Sequence, residues 1–523
     1  MGLSAVAHVS EELQICIFDL RRGQYEGQEL DKILFFFPVD SPFSVQLSVI
    51  GLSEGLITFT RIFSPGASCE VIEADKHSHV FYEAEPDIWM VMIAVKDKEV
   101  EAVWRTEALR TILKEVHSLF TMFHGSIRSV LEAEPDGRLV RSSLFSFIMD
   151  YLKAFYNPSP LDICCCDFLV GKKLHMPSFR DSLQERGTVQ MLTVGREAAI
   201  EVQSLVKTIE ASAGVPTCYS LILFQDLLVS STLQPEDTIN LFTYAILRLS
   251  PHALSPGVRS WSYLRKGSGA THPTVGTVST NSSSISDNYG SQSTSGSDSN
   301  STFRPLQSGK WVRGKDAFLT TDIWGLEDGA ASSRTSTVWL RDTEEKMYLC
   351  AYQHKSLTLI LFIPVSSISN GEQGIAAVKH QVLENASSKI LRVEEKLSKG
   401  WGGENAYHVP GYRYLLVDGD RHVSRASPPG KVTTLTKDSL LALNKLREQV
   451  DLEKNRAKWD DANKETNLEV SIRAKNNAWV IARLVRGKEL YMVLEKANET
   501  LLYASDAVEK FSNRYCNGAF SLD

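Results

Sequence analysis

The chain has little of what most small chemical sites are built from. Its 523 residues include only eight cysteines: Cys16, Cys69, Cys164, Cys165, Cys166, Cys218, Cys350 and Cys516. None of them forms a Cys-x-x-Cys pair, and three adjacent cysteines cannot readily converge on one tetrahedral metal. No structural zinc is therefore expected. Most of these cysteines sit in apolar, strand-like runs, the usual place for a buried free thiol, and the pattern reads as a reducing compartment. Long apolar runs are missing as well, and none approaches the roughly 20 residues of a membrane span. The opening MGLSAVAHVSEE has neither a basic start nor an apolar core, so no secretory leader is expected. Val6 stands where an N-myristoylation signal needs Ser or Thr. Positive charge is not in excess either. The net charge of −7 argues against general nucleic-acid binding, which needs clustered Lys and Arg, although a local basic patch stays open.

What remains is the composition of an ordinary soluble protein, 43% apolar and 23% charged. Its length points to about three domains. The most informative stretch is Leu13–Phe63. Leu13–Leu20 is an apolar run, Arg21–Lys32 a polar loop, and Ile33–Phe37 a second apolar run stopped by Pro38. Asp40 or Ser41 can cap the helix that follows, with Pro42 as its first residue. Along that helix Val45, Val49, Leu52, Leu56, Phe59 and Phe63 recur at helical spacing. Beside them Ser44, Ser48, Gly51, Gly55 and Thr58 make a stripe of small residues. Glycine inside a helix costs about 0.5–1 kcal/mol relative to alanine, so two on one face imply that another backbone comes close there. That backbone belongs either to the chain's own sheet or to a second subunit. Phe43–Ile50 also alternates apolar and polar residues, so an extended start to this stretch stays open.

The element order continues with strands at Cys69–Ala74, Val80–Glu85 and Ile88–Val95, a polar turn at Asp75–His79, a long helix over 102–131 and another at Leu139–Phe155. Residues 157–213 hold a Pro-rich linker, a short strand at Cys164–Val170 and a helix at Arg196–Ile209. The first order then returns. Strands Thr217–Phe224 and Leu227–Leu233 flank the tight turn Gln225-Asp226, and a helix spans Pro235–Leu249. Lys266–Ser308 is dominated by Ser, Thr, Gly and Asn and buries too little apolar surface to offset its ordering entropy, so disorder is expected there. Strands near Thr337–Arg341, Met347–Gln353 and Leu357–Pro364 and a helix at 375–397 complete the second copy. A third copy follows: strands Tyr412–Val417 and Arg421–Ala426 about Asp418-Gly419, a helix through Leu440–Val450, three strands between Leu468 and Glu495 that turn at Asn476-Asn477 and Arg486-Gly487, and a last helix at Glu499–Tyr515.

The expected fold class is α/β (α+β), with three units that each carry a mixed five-stranded sheet flanked by helices. Two strands, helix, three strands, helix is the order of longin domains. Cys16-Ile17-Phe18-Asp19, Glu26-Gly27, Lys32-Ile33-Leu34-Phe35-Phe36 and Pro38 resemble the start of the Ccz subunits of Mon–Ccz complexes. Tyr412–Val417 and the Tyr515-Cys516 helix fit the end of that family. The resemblance covers essentially the whole chain and extends to tri-longin relatives linked to ciliogenesis and Hermansky–Pudlak syndrome. It implies longin domains at residues 10–156, 157–398 (with the Ser-rich insertion at about 266–308) and 399–523. It also implies a vacuolar-fusion protein that pairs with a Mon-type longin subunit. Together they would form a guanine-nucleotide exchange factor for a late-endosomal Rab GTPase. The implied location is the cytoplasm, peripheral on late endosomes or the prevacuolar compartment, with peripheral membrane contact and no nucleic acid. The rival reading is a longin-domain tethering or adaptor protein without exchange activity.

Several enzyme-like motifs weigh little against this. Gly51-Leu52-Ser53-Glu54-Gly55 matches G-x-S-x-G but lies within a helical pattern rather than at a strand-to-helix turn. Gly309–Lys315 resembles a phosphate-binding loop, but Asp316 stands where magnesium needs Ser or Thr. His77 and His79 have no evident third metal ligand, and Lys454–Lys464 reads as a solvated loop. No catalytic, cofactor-binding or metal-ligating residue is assigned. The candidate partner interface consists of Ile33, Phe35, Phe37, Ser44, Ser48, Gly51, Gly55 and Thr58.

Overall fold

The computed structural model describes residues 13–155, 187–249, 316–319, 335–400, 412–460 and 467–516, with short gaps at 65–68, 96–105, 193, 215–217, 226, 342–344, 428–435 and 495–499. The Ser-rich insertion, Cys164–Val170 and the Gly309–Lys315 motif lie outside the described residues.

One strand order recurs three times. In the first unit, β1 (Leu13–Asp19), β2 (Ile33–Phe37), β3 (Val71–Glu73), β4 (His77–Glu85) and β5 (Ile88–Val95) are ordered β2-β1-β5-β4-β3. Its helices are α1 (Phe43–Phe63), α2 (Thr106–His124), α3 (Ile127–Ala133) and α4 (Arg138–Phe155). A short strand β6 (Val189–Gln190) and a helix α5 (Arg196–Ala213) lead into the second unit. That unit has β7 (Tyr219–Phe224), β8 (Leu227–Ser231), α6 (Pro235–Tyr244), β9 (Thr337–Trp339), β10 (Lys346–His354), β11 (Leu357–Pro364) and α7 (Gly371–Gly400), ordered β8-β7-β11-β10-β9. The third has β12 (Tyr412–Asp418), β13 (Val423–Ala426), α8 (Lys437–Asp460), β14 (Leu468–Arg473), β15 (Trp479–Val485), β16 (Lys488–Leu494) and α9 (Leu501–Tyr515). Its order is β14-β15-β16-β12-β13-β6. The first two sheets have the expected five strands. The third has a sixth, because β6 joins it from earlier in the chain, and β6–β13 is the parallel pairing among otherwise antiparallel described ladders.

Left-handed backbone falls within the expected turns at Gln225-Asp226, Asn476-Asn477 and Arg486-Gly487. Gln225, Asn477, Arg486 and Gly487 all have positive φ. Several expectations need correction. The single helix over 102–131 is two helices, because Gly125 takes φ +87° and the Ser126 side chain accepts the Ser129 N–H as a new N-cap. His77 and His79 lie on β4 rather than in a turn. The charged stretch after Lys454 continues α8 as far as Asp460, and Lys454 pairs with Glu489 of β16 at 2.5 Å.

Helices cover both faces of the first sheet. On one face α1 closes a core of Cys16, Phe18, Phe36, Phe81, Trp89 and Val91 through Ile50 and Ile57. On the other, α2 and α4 close a core that includes Leu34, Phe35, Leu113, Phe120, Val140 and Phe147. This second core runs without interruption into the second unit, through Leu221, Leu241, Phe242 and Phe362. Phe123 of α2 and Tyr244 of α6 pack with ring centroids 4.8 Å apart. The far face of the second sheet packs on α5 and α7. The third unit has two cores of its own, one under α8 and one under α9, both drawn entirely from residues 412–516.

Candidate partner-binding site

The helix α1 stands out because its outer surface is apolar and uncovered. Its inward stripe is Gln46, Ile50, Ser53 and Ile57. Two of these are polar, and both are satisfied locally. The Gln46 Nε2 donates to the Ser41 carbonyl at 2.7 Å, and the Ser53 Oγ donates to the Val49 carbonyl at 2.9 Å. Flanking ion pairs fix the helix on its sheet. Lys32 meets Glu54 at 2.8 Å, and Arg61 meets Glu83 at 3.0 Å while its guanidinium sits 5.3 Å from the Trp89 ring centre.

With that stripe facing inward, the 100° step of a helix carries Ser44, Ser48, Gly51, Gly55 and Thr58 to the outside, and all five are exposed. A Cβ added at Gly51 or Gly55 would meet nothing within 4 Å. The glycines therefore do not serve the chain's own sheet packing. Bordering this shallow groove are exposed apolar side chains: Val45 at 41%, Leu52 at 54%, Phe59 at 59%, Ile62 at 69% and Phe63 at 73%. The face is a ridge beside a groove, the relief that a second helix can pack into at short range. The expected apolar stripe is thus not the buried one: Val49 and Leu56 are half-buried, while Val45, Leu52, Phe59 and Phe63 face out. By length and composition α1 is also apolar enough to cross a membrane, where the sequence analysis expects no such stretch.

The edge strand β2 contributes differently from what its sequence suggests. The side chains of Ile33, Phe35 and Phe37 are buried, because helices cover both faces of the sheet. Only the outer backbone of β2 is open, and Arg141 Nε already takes the Ile33 carbonyl at 2.9 Å. Sequence reasoning missed Ile62 on the outer face and the inward role of Gln46 and Ser53. The Ile50–Ile57 spacing was the available signal.

The described residues in and beside the enzyme-like motifs have structural surroundings. Ser53 is fully buried in the middle of α1. Asp316 accepts from Lys379 at 3.0 Å. His79 is buried and stacks on Phe81, and burial, with His77 nearby, holds its pKa below the usual value. Burial pushes the thiols of Cys16, Cys218 and Cys350 up to about 12, the behaviour of inert core cysteines. Among the described residues no group of three or more His, Cys, Asp or Glu side chains could hold a metal ion.

A family model described as the first longin domain of INTU, CCZ1 and HPS4 matches residues 13–125, ending where α2 gives way to α3. Over the full length of both chains, the sequence is 62% identical to the vacuolar fusion protein CCZ1 homolog B of Arabidopsis thaliana. The chain belongs to the CCZ1 family of vacuolar fusion proteins. The CCZ1 homolog of Oryza sativa subsp. japonica is 58% identical over 100% of each chain. The CCZ1 homolog of Xenopus tropicalis is 21% identical over 98% of this chain and 97% of its own. The CCZ1-type longin region contains every residue of the candidate interface.

Proposed function

We propose that this chain is the non-catalytic subunit of a heterodimeric guanine-nucleotide exchange factor. The partner is a Mon-type longin subunit, and the target is a late-endosomal Rab GTPase. The complex works in the cytoplasm at the surface of late endosomes or the prevacuolar compartment, where it promotes endosome maturation and fusion with the vacuole. On this reading residues 10–156 form the partner and GTPase platform, and the units at 157–398 and 399–523 are further longin domains. The observation that carries the proposal is the outer face of α1. A contiguous apolar surface on a soluble protein marks an interaction site, and the two open glycines let a partner helix approach closely.

Exchange needs no covalent chemistry. It needs binding energy directed at the nucleotide-free GTPase more than at the loaded form, which shifts the equilibrium between those states. A platform shared by two chains can supply that preference only once both are assembled. The test is release of a fluorescent nucleotide from late- and early-endosomal Rab GTPases by this chain alone, the partner alone and the purified complex. Acceleration by the complex alone is expected. Fast release by the isolated chain would overturn the two-subunit mechanism. An intact complex that is inactive on every Rab would favour tethering.

A further inference from the structure

Residues 187–192 touch all three units within six positions. Gly187 has φ +74°, and a Cβ there would lie 3.1 Å from the Thr111 methyl of α2. Val189 is buried in the core shared by the first and second units. The Val189 N–H donates to the His422 carbonyl at 2.8 Å, and the Met191 N–H donates to the Ser424 carbonyl at 3.0 Å, which makes β6 the sixth strand of the third sheet. The Thr188 and Ser424 hydroxyl oxygens lie 3.0 Å apart. One residue further on, the Leu192 N–H donates to the Leu228 carbonyl at 2.8 Å, and Met191 forms a parallel bridge with Leu228 of β8. The second and third sheets are thus joined edge to edge through one short strand.

The rest of the attachment is thin. Both cores of the third unit are self-contained, and among the described element pairs only β6–β13 joins that unit to the others over an extended contact. The first two units, in contrast, share one core. Edge strands left unpaired are ready acceptors for an added strand, and β8 and β13 are both edges once β6 is taken away.

We infer that residues 187–192 are a strand-addition latch. The third unit docks on the fused first two by accepting this strand beside β13, and it releases as a folded body when the strand leaves. A two-residue ladder with few flanking bonds opens far more readily than the cores on either side, because local opening costs much less than global unfolding.

The latch is tested on the full chain by amide hydrogen exchange. Met191→Pro removes the N–H bonded to Ser424. A second variant, Thr188→Cys with Ser424→Cys, locks the strand as a disulfide when oxidised. In the proline variant, exchange at 187–192 and in β13 rises by about tenfold or more, whereas β1–β5 and β14–β16 stay within about twofold of the parent. The oxidised lock slows exchange at the same two places, and reduction restores it. Unchanged exchange in β13 in both variants would overturn the latch. So would a rise in β14–β16 in the proline variant, since the third unit would then be unfolding rather than undocking.

Discussion

Glu85 closes β4 with three donors. Its carboxylate accepts from His117 Nε2 at 3.3 Å and from the backbone N–H groups of Ile127 at 2.6 Å and Arg128 at 2.8 Å. Burial alone would raise this carboxyl, but the His117, Arg128 and Ile127 hydrogen bonds together outweigh burial and hold it below the usual value of 4.5. A group whose pKa is lowered by folding stabilises the fold above its unfolded pKa. That contribution is lost as pH falls through the folded value. Glu85→Gln is therefore expected to lower the melting temperature at pH 7, with the gap to the parent closing as pH drops below 4.5. Urea titrations across that range check it, and a constant gap would remove Glu85 from the acid response. None of this cluster was legible beforehand. Residues 85, 117 and 127 carry no spacing signal and meet only because β4, α2 and α3 converge. His79 was legible as a residue but misplaced, because a polar run of Asp, Lys, His and Ser resembles a turn until the strand beside it is seen.

At the scale of elements the sequence was readable wherever periodicity and turn chemistry agreed. The three hairpins at Gln225, Asn477 and Arg486-Gly487 and the long helices α5 and α7 fall where expected. Reading failed where a buried polar group broke the apolar period. Gln46 and Ser53 face inward in α1, so the inward face looked less apolar than the outward one. It also failed at β6, where two residues are too few to signal a strand. The outward face of α1 gives a separable prediction. At Gly51 and Gly55 a methyl group meets open space, so each Gly→Ala change should stabilise the isolated chain by about 0.5–1 kcal/mol. Leucine at both positions should leave the isolated chain folded yet abolish co-purification with the proposed Mon-type partner. Thermal unfolding and pull-down together distinguish these outcomes, and a folded double-leucine variant that still binds would place the interface elsewhere.

Across the whole molecule the three similar units are not equally independent. The first two share a core that meets at Phe123 and Tyr244, each almost fully buried, whereas Leu443 belongs to a core confined to the third unit. Tyr244→Ala should therefore destabilise the first and second units together by about 3–5 kcal/mol and leave the transition of the third unit in place. Leu443→Ala should lower only the transition of the third, by about 2–5 kcal/mol. Differential scanning calorimetry with unit-specific proteolysis would separate these patterns, and a single shared shift in both variants would contradict them. The architecture itself was legible, because two strands, helix and three strands recur three times. The fusion of two units was not, since no residue in α2 or α6 announces which neighbour it meets.

The position of β6 in the chain also bears on the order of manufacture. A ribosome releases residues 187–192 well before it makes β13, but only shortly before β8. The nascent chain can lay this strand along β8 as soon as the second sheet begins to form, with its other edge still unoccupied. When residues 412–426 emerge, they find a strand already in place and in register to pair with. The last third of the protein is in this sense assembled against a template that the middle third left behind.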